Sequence, residues 1–380
     1  MILIKSIEVY TPKNIGVKDV LIVNDKIVLI EDSIHKFNEK LKVIDGTGKK
    51  LIPGFIDNHV HIIGGGGEGS FKTRVPEITL SALVKGGITT VVGLLGTDSI
   101  TRNVENLVAK SKALKEEGMS VYSLTGSYGY PPVTITDSVK KDIVFIDEII
   151  GVKIALSDHR SSSISCDELA RLASDARVAG MISGKVGMVI AHMGNGDAGL
   201  GLINEVMEKT EIPAKIIRPT HVNRKRELLL ESFDYAKKGG IIDLTCGMSE
   251  EMSPSNVIME AEKKGVPLEN ITVSSDGYGS WSNYDEAGNM LEIGVSSVSS
   301  LYNEFKNMVN NLNFSIEDAL HFFTVNVSKA LEIYPKKGVV QENSDADVLI
   351  INEEMDIVSV ITNGRLMLDN GKLMIKGTYE

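Results

Sequence analysis

Apolar residues follow two rhythms along the 380-residue chain. In its middle, short continuous apolar runs alternate with stretches whose apolar positions recur every three or four residues. The runs near 54–60, 89–95, 120–126, 151–156, 187–192, 215–221, 240–246 and 271–276 predict strands buried on both faces. Helices are predicted between most of them, over Val104–Glu117, Asp167–Ile182, Arg226–Lys238 and Ser255–Lys264; Leu229, Phe233 and Ala236 show the spacing. Eight strands alternating with helices predict an α/β fold, a parallel (β/α)8 barrel of the TIM type. A doubly wound open sheet is the structural alternative. That fold would carry a glycine-rich nucleotide turn after its first strand, where this chain has His59-Val60-His61. Ser299–Asn311 and Ser315–Leu331 read as helices that finish the barrel.

The two ends share the second rhythm. Short runs such as Val20-Leu21-Ile22-Val23 and Asp347-Val348-Leu349-Ile350-Ile351 are punctuated by Asn24-Asp25, Asp45-Gly46, Asn363-Gly364 and Asn370-Gly371, as hairpins require. Each end alone is too short for a stable domain. Residues 1–52 and 339–380 are therefore expected to form one small β-sandwich together, with 53–338 as the barrel domain.

Composition adds mainly exclusions. At 42% hydrophobic and 24% charged residues, the chain is neither collagenous nor wholly disordered. A net charge of −11 without a long basic run argues against nucleic acid as a partner. Two cysteines, Cys166 and Cys246, cannot form a disulfide scaffold and suit a reducing cytoplasm. The N-terminal segment does not read as a signal peptide, and no stretch approaches the roughly 20 apolar residues of a membrane helix. A cytoplasmic protein without a membrane partner is expected.

Candidate chemistry gathers at the strand ends, where barrel enzymes place their reacting groups. His59 and His61, two residues apart on strand 1, leave the same face and can reach one metal ion. Lys153 lies on strand 4, His192 on strand 5, His221 on strand 6 and Asp276 on strand 8. Four of seven histidines thus fall on one barrel face, a nitrogen and oxygen ligand set that suits Zn2+. Lys153 stands in an apolar strand where a cation is costly to bury. It either reaches for the barrel rim or, as a neutral amine, takes up carbon dioxide to become an anionic carbamate. Two metals about 3.5–4 Å apart need such a bridging anion, and the carbamate is the favoured reading.

This set resembles that of the binuclear amidohydrolase superfamily. The segments Pro53–Glu68, with its Gly64–Gly67 run, Thr125-Gly126-Ser127-Tyr128, Ser157-Asp158-His159-Arg160, Ala191-His192-Met193-Gly194, Pro219–Arg224 and Ser274-Ser275-Asp276-Gly277 resemble those of bacterial isoaspartyl (β-aspartyl) dipeptidases. The likeness runs over essentially the whole chain. It implies two Zn2+ per subunit, one held by His59, His61 and Asp276, the other by His192 and His221. Carboxylated Lys153 and a hydroxide would bridge them. It further implies Tyr128 as oxyanion donor and Asp276 as the proton carrier. Glu68 would take the substrate ammonium, Arg224 the aspartyl α-carboxylate and Arg160 the C-terminal carboxylate, with Thr97 and Ser280 as further polar contacts. The substrate would be a β-aspartyl dipeptide, and the assembly a homo-oligomer, by family analogy an octamer.

The four glycines are expected to let the backbone approach the substrate closely; the plainer reading is an unspecific flexible loop. Trp281, next to Ser280, either lines the pocket or, as is commoner for a lone tryptophan, packs; Met193 is expected in the barrel core, Cys166 and Cys246 as buried inert thiols, and Lys140-Lys141 and Lys336-Lys337 as solvated surface. The competing activity is hydrolysis of a cyclic amide or imide, dihydroorotase-like or hydantoinase-like. A non-catalytic assembly protein of the same fold is disfavoured because no metal ligand is missing.

Overall fold

The computed structural model describes residues 1–35, 41–285 and 289–380; residues 36–40 of the N-terminal segment lie outside this description. Eight parallel strands follow one another in chain order: Phe55–Val60, Ile88–Gly93, Ser120–Gly126, Ile149–Leu156, Met188–Met193, Ile217–Thr220, Ile242–Thr245 and Ile271–Ser274. They are called barrel strands 1 to 8 below. Nearly every residue in them is buried, which is why they read as unbroken apolar runs rather than alternating ones. Between strands 8 and 1 a regular ladder is replaced by a bridge from Val60 to Gly277 and by bonds through side chains. Asp57 accepts from the Ser275 hydroxyl, and from the amides of Ser275 at 3.2 Å and His59 at 3.3 Å. This seam closes the barrel.

The long helices lie where their periodicity places them, at Val104–Glu116, Cys166–Ser183, Arg226–Lys237 and Pro254–Lys263. Cys166–Ser183 has both end signals: a Ser165/Glu168 capping box and a left-handed Gly184. The expected helix over 315–331 is broken at Thr324, with φ −134° and ψ −78°, into Ile316–Phe323 and Val325–Ala330. A hairpin of Ser280–Tyr284 and Met290–Val295 follows strand 8, where no strand was expected. No described helix is long and apolar enough to cross a membrane.

Strands from both termini join in one mixed sheet of nine. Ile2–Tyr10 is its branching point: its first half pairs in parallel with Lys42–Asp45, its second with Lys50–Pro53. Lys50–Pro53 in turn pairs with Val348–Ile351 from the other end of the chain. Ile4, Ile7, Val20, Ile22, Leu51, Val348 and Ile350 share one core. Leu349, Ile351, Val360 and Met367 belong instead to the core of the barrel.

One surface expectation fails here. Lys337 is only 3% exposed, with Asp345 2.8 Å away and Asp347 also in ion-pair contact. Two carboxylates near in sequence supply the partners that a buried ammonium requires. Lys140, Lys141 and Lys336 are exposed as expected. Cys246 is buried but Cys166 is only half-buried, because it opens a helix at the surface.

Candidate active site

At the carboxyl ends of the barrel strands, His59, His221 and Asp276 bring one ligand atom each within 4.8 Å of the others. The His61 and His59 Nε2 atoms approach the same Asp276 oxygen, at 3.2 and 3.5 Å. The His192 ring lies beside His221, 4.7 Å between centroids. Backbone shape helps to turn these groups inward. His221 and Asp276, directly beyond their strands, adopt φ of 62° and 51°, a left-handed geometry that non-glycine residues rarely take and that clusters at functional sites.

Lys153 is wholly buried, its Nζ 3.2 Å from His59 Nε2. It does not reach the rim. Burial pushes its ammonium down to about 7, so much of the population carries the nucleophilic neutral amine near neutral pH. Burial likewise holds His59, His192 and His221 well below the ordinary imidazole value, with the nearby Lys153 charge acting in the same direction. These are neutral imidazoles, the form that ligates metals. Burial works upward on Asp276, but the surrounding His221, His61 and Lys153, which favour a negative charge among them, and the hydrogen bond with His61 work downward and hold its carboxyl low. Buried neutral nitrogens converging on an ionised oxygen fit a divalent metal of the zinc type.

Supporting bonds orient these groups. His221 Nδ1 lies 2.7 Å from the Thr245 hydroxyl, leaving Nε2 for the centre. Asp243, buried in strand 7, accepts from Thr220 at 2.8 Å, Thr272 at 2.7 Å, Ser274 at 2.6 Å and Asn58 at 3.2 Å. Thr220 also lies 3.5 Å from His59 Nδ1. Neither Asp243 nor Asp57 was singled out from the sequence, although each is a carboxylate buried inside a barrel strand.

Above this cluster opens a cavity of about 620 Å3. The Tyr128 hydroxyl is 2.9 Å from His192 Nδ1, and burial raises its pKa, so it remains a proton donor. Arg224 donates to the Met193 carbonyl at 2.9 Å and is 3.5 Å from His192 Nε2; Met193 itself is buried in the barrel core as expected. Glu68 accepts from Thr97 at 3.0 Å and from Ser280 at 3.2 Å, and meets Arg160 at 3.4 Å. Thr97 and Ser280 therefore hold a carboxylate in this structure.

Arg160 is itself held by Asp158, a residue without an assigned role in the sequence reading. Its Nε and Nη2 donate to the two Asp158 oxygens at 2.9 and 2.8 Å. One edge of the guanidinium fork is thereby occupied, and Nη1 faces Glu68. Asp158 also lies 3.1 Å from His192 Nε2.

The glycine run is a tightly packed turn. Gly64, Gly66 and Gly67 have φ of 77°, 78° and 103°. A Cβ on Gly64 would lie 2.0 Å from the Val75 carbonyl oxygen, and one on Gly66 2.4 Å from that of Thr73. These two glycines thus admit the protein's own backbone. Trp281, for which packing was the commoner expectation, lines the cavity.

The amidohydrolase family model matches residues 51–367. A β-aspartyl dipeptidase of Fervidobacterium islandicum AW-1, solved in complex with β-Asp-Leu dipeptide, is 41% identical with a TM-score of 0.92, covering 98% of both chains. A D-hydantoinase structure at 19% identity and TM-score 0.70, covering 99% of this chain and 97% of its own, shares the fold. Dihydroorotase of Listeria monocytogenes serotype 4a (strain HCC23) is 37% identical over 144 residues, 36% of this chain. The match spans only about a third of that relative's length. With the family match running through the whole barrel and into the terminal sheet, the chain belongs to the amidohydrolase family.

Proposed function

We propose that the protein is a zinc-dependent peptidase that hydrolyses the isopeptide bond of β-aspartyl dipeptides. The observation that carries this reading is Glu68, an anion held over the His/Asp cluster by Thr97, Ser280 and Arg160, with a second arginine, Arg224, on the same cavity wall. A β-aspartyl dipeptide offers one ammonium and two carboxylates, matching one anion and two guanidinium groups. The 41% identity to a β-aspartyl dipeptidase supports the same substrate class.

His59, His61 and Asp276 would hold one Zn2+, and His192 and His221 the other. Lys153 would bridge them after its neutral amine adds to carbon dioxide, forming an N–C bond and releasing a proton. When bound, the metals supply a water of lowered pKa and polarise the scissile carbonyl. Asp276, ionised down to about pH 2, accepts the proton of the attacking water and returns it to the leaving amine. The Tyr128 hydroxyl donates to the oxygen on which charge develops. Glu68 takes the ammonium, Arg224 the α-carboxylate and Arg160 the C-terminal carboxylate through its remaining N–H groups.

The partial dihydroorotase match favours one second reading, hydrolysis of a cyclic amide. Purified protein offered β-aspartyl-leucine, α-aspartyl-leucine and dihydroorotate decides between them. The proposal expects turnover of the first alone. Ring opening without β-dipeptide cleavage would establish the second reading instead.

A further inference from the structure

We propose that Trp281 is a specificity-determining wall that receives the side chain of the residue released from the β-aspartyl bond. This rests on the dipeptidase reading and deepens it. The cavity is lined almost entirely by charged groups, amides, hydroxyls and glycine backbone. Three of its side chains offer large apolar surface. Tyr128 is buried, tilted against the His192 ring 4.4 Å away and covered by the Arg160 guanidinium 5.1 Å from its ring centre. That leaves Met248 and Trp281, and Trp281 is 44% exposed.

The hairpin keeps this indole in place. Trp281 pairs across the two strands with Gly294. A Cβ on Gly294 would fall 2.1 Å from the indole ring, so the ring lies flat on the opposite strand where only a glycine leaves room. Gly294 does not have a left-handed φ; space, and not backbone conformation, is what this position requires. The preceding residue, Ser280, donates to Glu68, which ties the start of the hairpin to the polar floor of the site. In the proposed binding mode the aspartyl half uses that floor. The side chain of the other residue then finds its apolar contact on the wall, which selects leucine- or phenylalanine-like leaving residues over glycine.

The test compares β-Asp-Leu, β-Asp-Phe and β-Asp-Gly. In Trp281→Ala the kcat/KM ratio of β-Asp-Leu to β-Asp-Gly should fall about ten-fold, the scale of a lost apolar pocket contact, mainly through KM. Trp281→Phe should restore most of the ratio. Gly294→Val, which keeps the tryptophan but lifts it from its seat, should lower the ratio as well, with metal content and circular dichroism as folding controls. An unchanged ratio in Trp281→Ala overturns the proposal, whether all three activities fall together or none does. Wild-type protein that cleaves none of the three dipeptides defeats the underlying dipeptidase reading, a distinct outcome visible before any variant is made.

Discussion

Burial outweighs the nearby Asp276 carboxylate at Lys153, whose Nζ faces the nitrogen of His59. Replacing it by alanine removes, among the described residues, the amine at the centre of the ligand cluster. Lys153→Ala is expected to lose bound metal and turnover together, measurable by metal analysis, with partial recovery on adding short carboxylic acids. Full activity without them would contradict the carbamate. Arg224 acts on a different quantity. A lysine there keeps the charge but cannot offer a planar fork, so Arg224→Lys should lower kcat/KM by on the order of 10- to 100-fold, the range for a lost charged hydrogen bond, with metal content retained. Loss of metal would show that Arg224 belongs to the ligand shell. At this scale the strand-end histidines and Asp276 were legible as ligand-type residues at the predicted ends of barrel strands, and Lys153 because it interrupts an apolar run. Asp158 was not, because its significance comes from being folded back onto Arg160 and against His192, and no spacing rule marks that.

Among the elements, the barrel strands were legible for the reason that makes them barrel strands: both faces are buried, so their apolar runs are continuous. The hairpin at 280–295 was not. Its first strand puts Ser280, Ser282 and Asn283 on the cavity, and its second, although Leu291, Ile293 and Val295 alternate, has no buried face, so neither stands out as a half-buried strand. Lys337 was misread for a related reason: beside Lys336 it looks like surface, and only packing between barrel and terminal sheet buries it. Its removal is a sharp probe of that junction. Lys337→Met would leave Asp347 buried without its cation and Asp345 with Lys26 alone, and should cost on the order of 3–5 kcal/mol, read from the denaturant midpoint. The acid side has a definite sign. Burial raises the Asp345 carboxyl, but Lys337 and Lys26 outweigh it and hold its pKa below the usual value. Its contribution is therefore present above about pH 4, the unperturbed range, and is lost as pH falls through the lowered folded value. Wild type should lose more stability than Lys337→Met over that acid interval.

For the whole molecule, the His/Asp cluster proposed to hold metal sits in the mouth of a barrel whose core is continuous with part of the terminal sheet. A ligand bound only by the native state stabilises all that unfolds with it, by about 2.7 kcal/mol when present at 100 times its Kd. Chelation should therefore abolish β-aspartyl hydrolysis and also lower Tm, with both restored by Zn2+. A Tm indifferent to chelator, with activity kept, would remove the metal from the account.

The contact between Glu68 and Arg160 bears on what the cavity refuses. Each group already has an opposite charge within reach, so on the dipeptidase reading a ligand enters by exchanging partners. A free dipeptide, ammonium at one end and carboxylate at the other, replaces that one pairing with two. On the dipeptidase reading, a chain extended at either end brings just one of these charges and leaves Glu68 with only its Thr97 and Ser280 donors, or Arg160 with only Asp158. On that reading the contact that pairs Glu68 with Arg160 also measures the guest, and would favour a dipeptide through charge.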